Sequence, residues 1–263
     1  MTTSTEQTVI DKQTALEWDW VCDTLDLRVV TYSCGRPESS TLKLIPYGDL
    51  FVPEREREAY AKTAPARRLY TYPDTINNAY DANMYVRKHH PDKPKRIWNF
   101  DDDITGFYKG TGAGPVRVSV EEGMRHVFML TQMAIDLGCH LYGLTLFRNI
   151  VYYRENAPFG LNHYIEATAM GYNDCPYFAE RVIGHWDIDL CMQAFEKDRI
   201  ILSSNMYAVQ HDVSRNVLNG NTKKYLEGKW GKQYLSFPLG KNKNYKMCVA
   251  VSRKSVTIPP EYK

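Results

Sequence analysis

Three consecutive carboxylates, Asp101-Asp102-Asp103, follow the apolar run Ile97-Trp98-Asn99-Phe100. Side chains alternate along a strand, so a strand carried through the trio turns Asp101 and Asp103 one way and Asp102 the other. Two carboxylates aimed at one point repel unless a cation lies between them. Mg²⁺ or Mn²⁺, hard and oxygen-seeking, suits such a pair. A solvated acidic turn is the bland alternative. A second acidic pair, Asp187 and Asp189, sits in Gly184-His185-Trp186-Asp187-Ile188-Asp189-Leu190. Well inside a helix the two would diverge by about 200°. The pattern instead sets Asp187 at the cap and Asp189 in the first turn, where negative charge suits the dipole. Capping alone accounts for either one; the chemical reading makes Asp187 a base, or the group that orients an acceptor hydroxyl. His211 ends a further run, Met206-Tyr207-Ala208-Val209-Gln210.

The elements around these residues alternate. Leu27–Tyr32 reads as a strand that enters the turn Ser33-Cys34-Gly35-Arg36-Pro37, rich in hydroxyl, backbone and guanidinium donors. Residues 42–46 read as a short strand, 54–62 as a charged helix, 69–72 as a strand, and 77–89 as a helix stopped at His90-Pro91. The aspartate strand comes next. Residues 109–115, with Gly110, Gly112 and Gly114, read as a flexible loop. Ser119-Val120-Glu121-Glu122 is a capping box, opening a helix with Met124, Val127, Phe128, Thr131, Ala134 and Ile135 on one face. Residues 143–147 read as a strand and 152–174 as an aromatic-rich irregular stretch. Ile188, Cys191, Met192 and Phe195 give the helix after Trp186 one buried face, and Ile200-Ile201-Leu202 begins another strand. Such alternation predicts a layered α/β domain.

Charge is uneven. The 263 residues carry a formal +2, yet residues 215–263 hold eleven Lys and Arg against Glu227 and Glu261, a local +9 that leaves −7 for the rest. A basic section on an acidic body suits a polyanion, either ligand phosphates or nucleic acid. The six cysteines are scattered, with no C-x-x-C pair, which predicts free thiols, a reducing compartment and no disulfide-linked partner. Residues 127–147 are apolar but broken by Gln132, Asp136 and His140, so no membrane span is expected. The N-terminal residues lack an apolar signal core. The expectation is a cytoplasmic protein.

In this order the motifs resemble those of glycosyltransferases of the GT-A fold. There a D-x-D ending a strand holds a divalent metal on a nucleotide-sugar diphosphate, an acidic segment at a helix start faces the acceptor, and a later His completes the metal shell. Asp101-Asp102-Asp103, Trp186-Asp187 with Ile188-Asp189-Leu190, and His211 match these three, over roughly residues 27–215. The family's Glu is Trp186 here, so only Asp187 of that pair carries over, and retention or inversion stays open.

The resemblance implies a GT-A (Rossmann-like) mixed sheet flanked by helices over 27–215, after a lead-in of 1–26 and before a basic C-terminal extension of 216–263. It implies Mn²⁺ or Mg²⁺ on Asp101, Asp103 and His211, and a UDP-sugar donor contacted by Tyr32, Ser33, Arg36, Asn83, Asp101 and Asp102. Lys229, Trp230 and Lys232, flanked by Gly228 and Gly231, would close over the phosphates, and Asp187 and Asp189 are the catalytic candidates. The form Ile-Trp-Asn-Phe-Asp-Asp-Asp-Ile further resembles phage glycosyltransferases associated with TET/JBP-type base hydroxylation. That narrower likeness implies a hydroxymethylated pyrimidine in DNA as acceptor, in a phage-infected bacterial cell. Tyr225, Trp230, Tyr234, Phe237 and Tyr245 among the lysines would suit a phosphate track with stacking surfaces. Rival readings are a GT-A enzyme acting on a saccharide, protein or small molecule, a nucleotidyltransferase, and a non-catalytic DNA-binding module on a transferase-like fold.

Overall fold

The structure, a computed structural model, describes residues 12–64, 68–150, 153, 155–179, 185–212, 220–232, 235–236 and 248–249. The chain opens with α1 (Lys12–Thr24) and β1 (Leu27–Tyr32), then α2 (Ser40–Leu44), β2 (Asp49–Pro53), α3 (Arg57–Thr63) and β3 (Arg68–Tyr72). It continues with α4 (Ala79–His89), β4 (Arg96–Phe100), the hairpin β5 (Ile104–Thr111) and β6 (Gly114–Val118), α5 (Val120–Leu137), β7 (Leu141–Leu146) and α6 (Phe147–Ile150). The last described elements are β8 (Phe159–Gly160), β9 (Ala169–Asn173), α7 (Trp186–Lys197), β10 (Leu202–His211), α8 (Gly220–Trp230) and the small pair β11 (Leu235–Ser236) and β12 (Cys248–Val249).

One mixed sheet runs in the order β3-β2-β1-β4-β9-β7-β10-β5-β6, with β8 paired to β10. β3, β2, β1 and β4 are mutually parallel. β9 lies antiparallel to both β4 and β7, β10 is parallel to β7, and β5 antiparallel to β10. The carboxyl ends of β1, β4, β7 and β10 therefore share one edge. Central strands buried on both faces must be apolar on both faces, and β4 obeys this. Ile97 packs with Val30, Leu141, Met170 and Tyr172 against α4 and α7. Trp98 and Phe100 pack with Leu27, Val29, Tyr142 and Leu144 against α1 and α5. The result is the expected α/β architecture, a mixed sheet with helices on both faces.

Local chemistry sets the helix ends. Ser119 caps α5 by accepting from the Glu122 amide at 3.1 Å, and Gly138, at φ +65°, closes it. Asn78 caps α4 through the Asp81 amide at 2.9 Å. Before β2, Gly48 stands at φ +92°, and a Cβ there would lie 2.4 Å from the Val29 carbonyl oxygen, so no other residue fits.

Four expectations from sequence are corrected. Residues 42–46 are not a strand: 40–44 form α2 and the neighbouring strand starts at Asp49. The β leaning of a five-residue run is weak and yields to tertiary context, here including Thr41's hydrogen bonds to the aspartate turn. The glycine-rich 109–115 is the β5–β6 hairpin; Gly110 leaves room for the Tyr153 ring, which a Cβ would meet at 2.6 Å. The stretch 152–174 contains β8 and β9. The aspartate strand ends at Phe100, so Asp101–Asp103 form a turn and strand alternation does not govern them.

Candidate metal and nucleotide site

After β1 the chain moves to β2 and β3 on one side, then returns past β1 to place β4 on the other. The carboxyl ends of β1 and β4 thus flank a topological switch point, where open α/β sheets bind ligands. Ser33 and Arg36 leave β1 there, and the three aspartates leave β4.

Thr41 of α2 shapes the aspartate turn. Its hydroxyl donates to the Asp101 carbonyl at 2.6 Å and accepts from the Ile104 amide at 2.7 Å, while its own amide reaches the Asp102 carbonyl at 3.3 Å. On the far side the Asp101 amide donates to the Thr168 carbonyl at 3.0 Å, and the Asp212 amide to the Asp103 carbonyl at 3.0 Å. With the backbone pinned, the three side chains part company.

Asp102 turns back to the loop after β1. It is buried, accepts from the Ser33 hydroxyl and pairs with Arg36 Nη2 at 2.9 Å. Burial pushes its carboxyl above the usual range, against the pull of Ser33 and Arg36. Asp103 faces β10: its Oδ2 lies 3.9 Å from His211 Nδ1, and its Oδ1 is buried with no hydrogen-bond partner. Its nearness holds the His211 imidazolium above the ordinary histidine range. Asp101 keeps part of its surface open yet is crowded by protein, and burial together with Asp103 and Asp102 pushes it up to about 7, with His211 pulling the other way and Asp187 adding to the push. Asp101 and Asp103 thus feel each other's charge with His211 beside Asp103, although the ligand atoms of the three do not all lie within 4.8 Å of one another. A buried carboxylate oxygen without a partner costs on the order of 1–3 kcal/mol or more, and a hard divalent cation is the guest this oxygen-rich, His-completed donor set suits.

The other sequence candidates are placed as follows. Tyr32 and Asn83 are buried beneath the turn: the Asn99 amide donates to the Tyr32 hydroxyl at 3.4 Å, and the Asn83 amide to the Tyr172 hydroxyl at 3.1 Å. Asp187, 7% exposed, accepts at one oxygen from the Tyr164 hydroxyl at 2.5 Å and the Ala167 amide at 3.1 Å, and at the other from the Ile188 amide at 3.0 Å. It moors the 164–167 loop to the start of α7. Asp189, fully buried, faces away from that loop, pairing with Lys229 at 2.9 Å, Trp230 Nε1 at 2.9 Å and Gln193 Nε2 at 3.1 Å. Lys229 and Trp230 therefore fasten α8 to α7, and Lys232 lies exposed just beyond Gly231. Tyr234, Phe237 and Tyr245 lie outside the described residues. Reading the sequence alone missed Thr41, Thr168, Tyr164 and Glu166, whose charge also raises His211. A lone Thr or Glu in a loop carries no local signal of what it will meet.

Among the described residues, one Asp-His-Asp group brings its ligand atoms within 4.8 Å of one another: Asp49, His90 and Asp92. It belongs to the opposite, amino-terminal edge of β2. Asp49 binds His90 Nε2 and Arg68 Nε, each at 2.7 Å, Asp92 binds Arg28 Nε at 2.8 Å, and His90 Nδ1 accepts from the Asp92 amide at 3.2 Å. Two guanidiniums already supply the positive charge and the imidazole lone pair is taken. The cluster reads as a clasp across β1, β2 and β3. Cys22, Cys34, Cys139, Cys175 and Cys191 are free thiols. Among the described residues no helix is long and apolar enough to cross a membrane.

No family model and no curated protein matches the chain. Solved structures do. Glucosyl-3-phosphoglycerate synthase from Mycobacterium tuberculosis, in complex with Mn²⁺, uridine diphosphate and glucosyl-3-phosphoglycerate, is 9% identical over 92% of this chain and 93% of that one, with a TM-score of 0.46. A mycobacterial protein is 12% identical over 92% and 89%, at 0.47. A candidate nucleotide-diphospho-sugar transferase from Desulfovibrio desulfuricans G20 is 11% identical over 78% and 91%, at 0.40. At such identities and scores the likeness bears on neither substrate nor mechanism, which rest on this chain's own residues.

Proposed function

We propose that the chain is a metal-dependent glycosyltransferase that takes its sugar from a nucleoside diphosphate, UDP in the first instance. The observation that carries this reading is the unpartnered, buried Asp103 Oδ1 beside Asp101 and His211, at the carboxyl edge between β1 and β4. Asp101, Asp103 and His211 would hold Mn²⁺ or Mg²⁺. When bound, the ion supplies Lewis-acid neutralisation of the charge that builds on a departing diphosphate. Asp102 keeps Arg36, more than half exposed, beside the same edge, so that a guanidinium faces the diphosphate. Ser33 fixes that arrangement by bonding both Asp102 and Tyr60. Tyr32 and Asn83 stiffen the floor from below. Lys232 is the remaining cation we assign to the phosphates.

Asp187 is the acidic group we assign to the acceptor side, as an orienting residue, because three donors already hold its two oxygens in place. Asp189 acts through packing, joining α7 to α8. For the acceptor, the +9 charge of residues 215–263 favours a polyanion, and we propose a hydroxymethylated pyrimidine in DNA.

The test is a thermal-shift screen of nucleotide sugars with and without Mn²⁺, followed by product analysis. A donor that stabilises the protein only with metal, and yields free nucleoside diphosphate, supports the reading. Pyrophosphate as product, or equal stabilisation without metal, overturns it. DNA binding that does not weaken as salt rises would remove the DNA acceptor alone.

A further inference from the structure

A cavity of about 410 Å³ opens on the α7 face of the sheet, two strands from β4. Its wall includes Thr145, Asn149, Tyr153, His163, Ser203 and Asn205. A pronounced bulge in β10 creates it: Ser204 pairs with Leu144 but the next paired residue, opposite Thr145, is Ala208, so Asn205–Tyr207 swing out of register. The polar wall is pinned. Asn205 donates to the Ala157 carbonyl at 3.1 Å and meets His163 Nδ1 at 3.2 Å, and Ser203 donates to the Gly160 carbonyl at 3.3 Å. At Gly160 a Cβ would fall 2.5 Å from His163 Nδ1 and 2.8 Å from Ser203 Oγ, so a larger residue would push these two side chains aside.

Tyr164 and Ile165 complete the wall and tie the cavity to the aspartate turn. The Tyr164 hydroxyl donates to Asp187, and four residues later the same loop offers the Thr168 carbonyl to the Asp101 amide. Asp187 thus bonds the loop that both lines the cavity and holds the aspartate turn. Hydroxyls, amides, an imidazole and phenol rings in one wall bind a ring that offers hydroxyls for hydrogen bonding and a flat apolar face for stacking. The volume lies near the lower end of small-molecule sites, enough for a single ring system and not for an oligomer.

We propose that this cavity is the acceptor subsite, and that it takes one uncharged ring bearing a primary hydroxyl. The assignment rests on the transferase reading above and deepens it. A sugar ring and a hydroxymethylated base share this chemistry, and the test separates them.

The experiment measures saturation-transfer NMR from the protein to methyl α-glucoside and, separately, to 5-hydroxymethyl-2′-deoxycytidine, each with UDP and Mg²⁺ present. Two variants are compared with the wild type: Asn149→Ala, which removes an exposed amide from the wall, and Ala157→Trp, which fills the cavity from its rim. Calorimetric UDP binding with Mg²⁺ is recorded for all three. Transfer to at least one ring, weakened tenfold or more in both variants while UDP affinity changes less than twofold, supports the subsite, and the ring that responds names the source. Transfer to neither ring overturns it, as does transfer that the variants leave unchanged. Loss of UDP binding in Ala157→Trp would also overturn it, since the cavity would then serve the donor. A wild-type protein that binds a ring but never UDP would sink the transferase reading while leaving the cavity a ring site.

Discussion

Asp101→Asn offers a quantitative handle on the crowded carboxylates. The substitution keeps shape and removes one of the like charges. Asp101 is pushed from 3.8 to about 7 in the folded chain. Holding it ionised above pH 7 then costs on the order of 4 kcal/mol relative to a solvated aspartate. The folded pKa lies above the unfolded one, so the folded state binds the proton more tightly. Metal-free stability should fall as pH rises from about 4 to about 7 and stay low above that. The asparagine variant escapes this loss. With roughly 2–4 °C per kcal/mol for a chain of this size, it should melt about 8–16 °C above metal-free wild type at pH 8 and level with it near pH 4. Saturating Mn²⁺ narrows the gap: at a hundred times its dissociation constant the ion adds about 2.7 kcal/mol to wild type, and little to the variant. Scanning fluorimetry at pH 4 to 8.5, with and without Mn²⁺, reads all of this. Equal melting of the two proteins at pH 8, or the same Mn²⁺ shift in both, would refute the reasoning.

Three further outcomes follow from the same contacts. Thr41→Val removes the hydroxyl that bridges Asp101 and Ile104; urea unfolding should show a loss of about 1–3 kcal/mol, and Mn²⁺ affinity should drop, since the turn is no longer held. Lys229→Met leaves the fully buried Asp189 with fewer partners, and should cost about 3–5 kcal/mol in the same assay, with UDP affinity unchanged because α8 is a brace. Gly48→Ala, forced against the Val29 carbonyl, should fail to accumulate as folded protein, read by soluble yield and circular dichroism.

Much of the frame was legible because it is written locally. The run Ile97–Phe100 announced a buried strand, Ser119–Glu122 a helix start, and Ile188 to Phe195 a buried helical face. What the sequence hid is set by pairing across distance. Nothing local says that β9 inserts antiparallel between β4 and β7, or that β10 runs against β5 and so brings His211 opposite Ile104 and beside Asp103. The strand stops one residue before the aspartates, so their directions come from Thr41, Ser33, Arg36 and His211 and not from alternation. Lys229 and Trp230 looked like a mobile phosphate clamp between two glycines. The pattern did not reveal that Asp189, pointing away from Asp187 on α7, needs buried partners and recruits these two.

The central claim is that the aspartate turn and His211 form a divalent-metal site for a nucleoside diphosphate, and calorimetric titration of UDP tests it most directly. Titrate wild type and Asp103→Ala, each with Mn²⁺ and with EDTA. The account predicts binding to wild type only with Mn²⁺, and at least a tenfold loss in the variant with the fold intact by circular dichroism. UDP binding that ignores the metal, or that survives Asp103→Ala unchanged, would contradict it.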